Sequence, residues 1–208
     1  MTTTTSREAL DRLREGNKRF VANIRSHDPA ASAARRAEIA AAQKPFAIVL
    51  GCSDSRVPVE IVFDQGLGDL FVIRVAGNIV APSLIGSVEF AAAQYGTPLV
   101  VVLGHSQCGA IIATLDQLRQ PTGKQSPNLK SIVDRIRPGV ENLLQGRLAR
   151  DNASLVQRAV RANILASVQQ LRHGSAIIEN LVSGQGMLVT GAEYSLETGA
   201  VEFLEETL

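Results

Sequence analysis

The chain has 208 residues, with 21 Lys and Arg against 20 Asp and Glu and a formal net charge of +1. This length suits a single domain with a large core, and the near-neutral charge argues against nucleic acid or anionic membranes as partners. No apolar run reaches the roughly 18–20 residues of a membrane span, and residues 1–6 lack the pattern of a secretory signal. We therefore predict a cytoplasmic protein whose cysteines stay reduced.

Hydrophobic periodicity predicts helices that alternate with strands. An amphipathic helix is predicted over 6–24 with Ser6 as its N-cap, and a second, alanine-rich helix ends at Ala42. The later predicted elements are strand 46–51, a turn and short helix over 55–65, strand 70–75, helix 82–95 ended at Gly96, strand 98–103, helix 107–118, a loop over 120–128, helices 129–146, 152–173 and 175–183, and a strand pair 186–195 and 200–204.

Strands that alternate with helices predict an α/β fold with a mostly parallel sheet and helices on both faces. The runs 46–51 and 98–103 are apolar on both faces, which is typical of buried parallel strands. Ligands of such sheets bind at the carboxyl ends of the strands. Cys52 follows the first run, and His105 and Cys108 follow the second.

Cys52, His105 and Cys108 therefore make up most of a metal site, for which zinc is the expected ion. Zinc favours thiolate and imidazole ligands, and three protein ligands leave an open position for water. Asp54 is the candidate for a fourth ligand, and Arg56 is placed to clamp its carboxylate with two hydrogen bonds. Residues 52–56 thus allow two states of the site. In the open state Asp54 pairs with Arg56, and in the closed state Asp54 binds zinc.

Each of these residues, taken alone, also has a simpler interpretation. A single cysteine is more often a small buried apolar residue than a ligand. Asp54 and Arg56 alone would form a surface ion pair worth under about 1 kcal/mol. A disulfide between Cys52 and Cys108 would leave His105 without a role. A structural zinc site closed permanently by Asp54 would not need Arg56.

Four motifs resemble those of the β-class carbonic anhydrases. They are the segments 52–56, 71–78, 86–90 and 104–109, and the resemblance extends from 13–20 to the terminal strands. It implies a zinc lyase that interconverts carbon dioxide and bicarbonate, on four parallel strands with an added antiparallel edge strand. It also implies a homodimer or homotetramer with active sites at subunit interfaces, in which an N-terminal arm (1–42) packs on a partner subunit.

The mechanism implied by this resemblance uses zinc-bound hydroxide. Zinc lowers the pKa of bound water from about 15.7 to roughly 7. Asp54, held by Arg56, is expected to accept a hydrogen bond from the hydroxide and so to aim a lone pair at the carbon. Carbon dioxide is apolar, so we expect a dry slot to which Val57, Phe71 and Ile79 contribute.

The resemblance also implies a substrate pocket. Gln43 matches a glutamine that hydrogen-bonds a substrate oxygen in similar plant-type enzymes, and Phe71 matches an aromatic residue of the same pocket. Phe90 stands where those enzymes have a tyrosine, so the pocket should be drier. The predicted substrate-binding set is Gln43, Val57, Phe71 and Gly109.

One subclass of these enzymes binds an inhibitory bicarbonate through a tryptophan, an arginine and a tyrosine. Arg74 and Tyr194 match two of them, but Val49 occupies the tryptophan position. We therefore predict the open state near neutral pH, with Asp54 paired to Arg56. Carbon disulfide hydrolases share the fold and the zinc site, and they are the alternative activity.

Overall fold

The computed structural model describes residues 4–24, 32–121, 126–145 and 151–204. In this part of the chain one sheet has the strand order β2-β1-β3-β4-β5. The strands are β1 (Ala47–Gly51), β2 (Leu70–Arg74), β3 (Leu99–His105), β4 (Leu188–Tyr194) and β5 (Val201–Leu204). β1 to β4 pair in parallel, whereas β5 runs antiparallel to β4. The predicted fold class is confirmed.

Helices pack on both faces of the sheet. They are α1 (Ser6–Val21), α2 (Ser32–Ile39), α3 (Val59–Val62), α4 (Pro82–Tyr95), α5 (Gly109–Arg119), α6 (Pro127–Val140), α7 (Asn152–His173) and α8 (Ala176–Gln185). α4 and α7 begin and end where predicted, and Gly96 ends α4 in the left-handed conformation that favours glycine. Among the described helices, none combines the length and apolar character needed to cross a bilayer.

Several helices end or begin inside their predicted bounds. α1 ends at Val21 rather than at residue 24, and α2 ends at Ile39 rather than at Ala42. The helix predicted from 107 begins at Gly109, because Gln107 has a positive φ of 55° and Cys108 is extended. The helix predicted over 129–146 ends at Val140 and continues as a 3-10 turn, Glu141–Leu144, within the described residues. After α6 the hydrophobic pattern continues beyond the regular helix, because Leu143 and Leu144 still pack against the core.

The strands separate two cores, because successive residues of a strand point to opposite faces of the sheet. Val100 and Val102 of β3 face a core shared with α4 to α8, while Val101 and Leu103 face a core shared with α1 and α3. All four side chains are fully buried. The continuous apolar run of β3 follows from its burial on both faces.

The N-cap of α1 is Thr5, so the prediction of Ser6 is wrong. The Thr5 side chain accepts from the Glu8 backbone N–H, and the Glu8 carboxylate accepts from the Thr5 backbone N–H at 2.8 Å. This reciprocal capping box needs an acid or amide three residues after the cap. Counted from Ser6, that position is Ala9, which cannot return the hydrogen bond.

α1 packs against its own chain. Leu13 is fully buried, and the Asn17 amide donates to the carbonyl oxygens of Val62 and Gly199 at 3.1 and 2.9 Å. These bonds tie α1 to α3 and to the turn before β5. Packing of the arm 1–42 on a partner subunit stays a prediction, and parts of that arm lie outside the described residues.

Candidate metal centre

Two neighbouring strands and one helix bring Cys52, His105 and Cys108 together at the carboxyl edge of the sheet. β1 and β3 pair in parallel as far as Gly51 and Leu103, so the residues that follow lie side by side. Cys108 is the N-cap residue of α5. The candidate ligand atoms lie within 4.8 Å of one another, and all three residues are buried.

His105 is oriented to offer its Nε2 as a ligand. Its Nδ1 lies 2.9 Å from the carbonyl oxygen of Ser106, which can only accept, so Nδ1 carries the ring proton. Nε2 is buried and finds no hydrogen-bond partner in the described part of the chain. A buried polar atom without a partner is unfavourable, and a metal ion would satisfy it. With two thiols beside it, this donor set fits zinc.

The electrostatics of the two thiols reflect their close contact. A hydrogen bond from Cys108 lowers the pKa of Cys52 against the effect of burial. The neighbouring His105, and then the Gly77 backbone N–H, 3.4 Å from Cys52 Sγ, lower it further. The contact with Cys52, and then burial, raise the pKa of Cys108, while the backbone N–H groups of Ala110 and Ile111 lower it. Bound to a divalent cation, both sulfurs are stabilised as thiolates.

Asp54 faces the same cluster and is held by Arg56. Arg56 Nε donates to Asp54 Oδ1 at 2.9 Å, and Nη2 donates to Oδ2 at 2.7 Å. The Arg56 side chain, together with its backbone N–H, holds the pKa of Asp54 well below its usual range. Asp54 Oδ2 lies 3.9 Å from His105 Nε2. The Asp54–Arg56 pair is therefore formed, with its carboxylate beside the candidate ligands.

Arg74 supports the loop that carries Cys52 and Asp54. Its Nε donates to the Cys52 carbonyl at 3.1 Å, and its Nη2 donates to the Asp54 carbonyl at 2.7 Å. Tyr194 is buried at the end of β4, opposite His105 in the strand register, and burial raises its pKa. A regulatory bicarbonate at Arg74 and Tyr194 stays a prediction.

Two of the predicted substrate residues lie next to the cluster in sequence. Gly109 begins α5 directly after Cys108, and a β-carbon placed on it would meet nothing within 4 Å, which leaves open space beside the ligands. Val57 is fully buried, and its N–H donates to the Asp54 carbonyl at 3.0 Å. The backbone of Val57 therefore closes the turn that presents the Asp54 carboxylate.

Gln43 and Phe71 lie towards the amino end of the sheet. Phe71 pairs in register with Ile48, four residues before Cys52, which corresponds to about 13 Å along the strand. Gln43 precedes β1, and its amide donates to the Tyr95 hydroxyl at 2.9 Å. The Phe71 ring packs against the Tyr95 ring, with 6.2 Å between centroids. Within one chain, neither residue joins the ligand cluster.

Two polar residues of α7, not predicted from the sequence, hold the loop that contacts Cys52. Asn163 Nδ2 donates to the Gly77 carbonyl at 2.8 Å, and Ser167 Oγ donates to the Asn78 carbonyl at 3.1 Å. Each is only 3% exposed. Their signal in the sequence is spacing: two polar residues four apart lie on one face of the helix, here the face towards the core.

Comparisons with known proteins identify the family of the chain. The carbonic anhydrase family model matches residues 47–201. The chain is 41% identical over 187 residues to carbonic anhydrase 2 of Mycobacterium tuberculosis, covering 90% of this chain and 87% of that protein. It is 42% identical over 194 residues to the carbonic anhydrase of Mycolicibacterium smegmatis, covering 91% and 89%.

Solved structures share the fold. The β-carbonic anhydrase CcaA superposes with a TM-score of 0.73 at 25% identity, covering 96% of this chain and 92% of that chain. A tetrameric β-carbonic anhydrase of the fungus Sordaria macrospora gives a TM-score of 0.72 at 25% identity, covering 85% and 90%.

The sheet and its Cys-His-Cys cluster define an α/β enzyme with a candidate metal centre. The chain belongs to the carbonic anhydrase family, in its β class, and its reaction is the interconversion of carbon dioxide and bicarbonate. The resemblance found in the sequence motifs is thereby confirmed.

Proposed function

We propose that this enzyme hydrates carbon dioxide with zinc held by Cys52, His105 and Cys108. The observation that carries the proposal is the buried Nε2 of His105, which faces two thiols and has no hydrogen-bond partner among the described residues. Zinc bound by these three side chains supplies the Lewis acidity that makes hydroxide available near neutral pH.

Asp54 orients the nucleophile rather than deprotonating it. Because Arg56 holds the pKa of Asp54 far below neutral, the carboxylate is a poor base at neutral pH and acts as a hydrogen-bond acceptor. Oδ1 accepts from both the Nε and the backbone N–H of Arg56, whereas Oδ2 accepts only from Nη2 and retains a second lone pair on the side of His105. An O–H that donates to this carboxylate turns its own oxygen lone pair towards the carbon of carbon dioxide.

We infer that a second copy of the chain completes the substrate pocket. β2 is an edge strand, and Phe90 beside it is 52% exposed and packs on Phe71. An unpaired strand edge with exposed aromatic side chains favours association with another chain. Gln43 and Phe71, which do not reach the metal ligands of their own chain, would then serve the neighbouring centre in a homodimer. A homotetramer would pair two such dimers.

We also propose that the enzyme works in the cytoplasm, in carbon utilisation. Cys52 and Cys108 are free thiols whose sulfurs lie close together, so a reducing compartment protects the ligand set from oxidation. Fractionation of cells that produce the enzyme, followed by thiol labelling, tests this location.

Stopped-flow hydration of carbon dioxide between about pH 6.5 and 9, with zinc measured per chain, tests the proposed reaction. We expect rapid hydration near neutral pH with one zinc per chain. Activity only at the alkaline end would contradict the open Asp54–Arg56 arrangement. Bound zinc without hydration at any pH would overturn the proposal, and carbon disulfide would then be assayed as the alternative substrate.

A further inference from the structure

A tight turn lies against the candidate metal centre. Gly77 and Asn78 both have positive φ values, 72° and 42°, in the turn that follows β2. Glycine adopts this conformation freely and asparagine more readily than most residues, so the sequence suits the turn. This conformation places the Gly77 backbone N–H 3.4 Å from Cys52 Sγ, in a buried hydrogen bond.

The position of this loop is restricted by two helices. A β-carbon on Gly77 would lie 3.0 Å from Ile136 Cδ1 of α6 and 3.1 Å from Ala110 Cβ of α5. The Asn78 N–H donates to the Val75 carbonyl at 3.1 Å, which closes the turn on itself. Packing leaves the loop little room to move away from Cys52 on that side.

A third helix, α7, holds the loop through its carbonyl groups. Asn163 donates to the Gly77 carbonyl at 2.8 Å, and Ser167 donates to the Asn78 carbonyl at 3.1 Å. Both side chains are buried in the middle of a helix whose neighbouring buried residues are mainly apolar. Burying polar groups there is unfavourable unless they are paired, and they pair with this loop.

We propose that Asn163 and Ser167 are positioning residues of the metal centre, which hold the Gly77 N–H on the sulfur of Cys52. The inference rests on the proposed function in one respect, that the cluster holds a metal. A hydrogen bond to a thiolate withdraws electron density from sulfur, so the thiolate donates less charge to the metal. Two thiolates would otherwise make the metal a weaker Lewis acid, and the loop moderates that effect.

The test uses the full enzyme with cobalt(II) in place of zinc, because thiolate-to-cobalt charge transfer reports the donor strength of sulfur. Asn163→Leu keeps the branched shape and the number of side-chain heavy atoms of asparagine and removes the donor to Gly77. We expect its charge-transfer band to move to lower energy, because a thiolate without the Gly77 N–H donates more charge to the metal. Ser167→Ala should move the band in the same direction by less.

Two further variants separate positioning from general destabilisation. Val168→Ala removes buried packing from the same helix without touching a hydrogen bond, so its band should stay at the native energy. Ser167→Thr keeps the hydroxyl and should restore the native band. If Asn163→Leu does not fold, the comparison of Ser167→Ala with Ser167→Thr tests the positioning role by itself.

The inference is overturned if folded Asn163→Leu and Ser167→Ala keep the native band, or if Val168→Ala moves it equally. If the native enzyme binds neither cobalt nor zinc at Cys52 and Cys108, the proposed metal centre is rejected together with this inference. A band that shifts as expected in an enzyme without carbon dioxide hydration would support the positioning role and reject only the proposed reaction.

Discussion

The carboxyl edge and the β2 edge of the sheet carry predicted site residues in contrasting states. At the carboxyl edge, Cys52, His105 and Cys108 are buried, and the backbone that carries them is hydrogen-bonded on several sides. The β2 edge is the cluster of Phe71, Phe90 and Tyr95 beside β2, which Gln43 joins through its hydrogen bond to Tyr95. There, Gln43 is exposed and Phe71 is only half-buried. A single chain thus brings the candidate metal ligands together, whereas we propose that a second copy completes the substrate pocket.

This contrast has a physical basis. A metal site tolerates little displacement of its ligands, so its residues come from paired strands and a helix start that are locked by the core. A pocket for a small apolar gas needs exclusion of water more than fixed donors, and an interface between two chains provides that exclusion. Variants at one edge should therefore leave the other edge intact.

Removal of a candidate metal ligand should abolish zinc binding, whereas a substitution at the β2 edge should not. For Cys52→Ala we expect loss of zinc and a fall in kcat/KM of more than about 100-fold, beyond the usual effect of residues outside the ligand set. Metal analysis and stopped-flow hydration measure both quantities. Gln43→Ala is the matched control at the β2 edge and should keep one zinc per chain. Zinc retained at full occupancy by Cys52→Ala would contradict the ligand assignment.

Removal of the Asp54 charge should impair the reaction without removing the metal. Asp54→Asn keeps the shape of the side chain but breaks the ion pair with Arg56, so orientation of the nucleophile is lost. We expect kcat to fall about 100-fold while zinc content is unchanged. Native turnover in this variant would show that the Asp54–Arg56 pair does not orient the nucleophile.

A charge at the β2 edge should separate the subunits. Phe90→Glu places a carboxylate in the exposed aromatic cluster, and we expect dissociation to monomers and about 10-fold lower activity with zinc retained. Light scattering after size exclusion measures the mass. Leu129→Glu on α6, which replaces a side chain that is 56% exposed, is the control and should leave the assembly intact. An unchanged mass for Phe90→Glu would place the interface elsewhere.

The turn at Gly77 should be sensitive to a single methyl group. Gly77→Ala forces a β-carbon into a positive φ and against Ile136, so we expect the free energy of unfolding to fall by about 1–2 kcal/mol. Gly184→Ala in α8 is the control, because a β-carbon there meets nothing within 4 Å and should stabilise the helix. Urea unfolding of both variants gives the comparison. Equal stabilities would mean that the loop relaxes without strain.

Much of the fold and of the ligand set follows from local sequence. The apolar runs before Cys52 and His105 predict buried parallel strands, and the carboxyl ends of such strands share one edge, so the ligands are expected to meet. Gly96 marks the end of α4 because a left-handed residue there favours glycine. These features depend on periodicity and on neighbouring residues, which the sequence displays directly.

Other features depend on contacts between distant parts of the chain. Asn163 lies 86 residues from Gly77, and no local pattern links a polar residue of α7 to the sulfur of Cys52. The ring tautomer of His105 is set by the direction of one carbonyl group, which only the folded backbone determines. Local sequence is therefore enough to predict the residues of the candidate metal centre and the strand ends that carry them. How this centre is supported, and where Gln43 lies relative to it, depend on long-range packing that local sequence does not display.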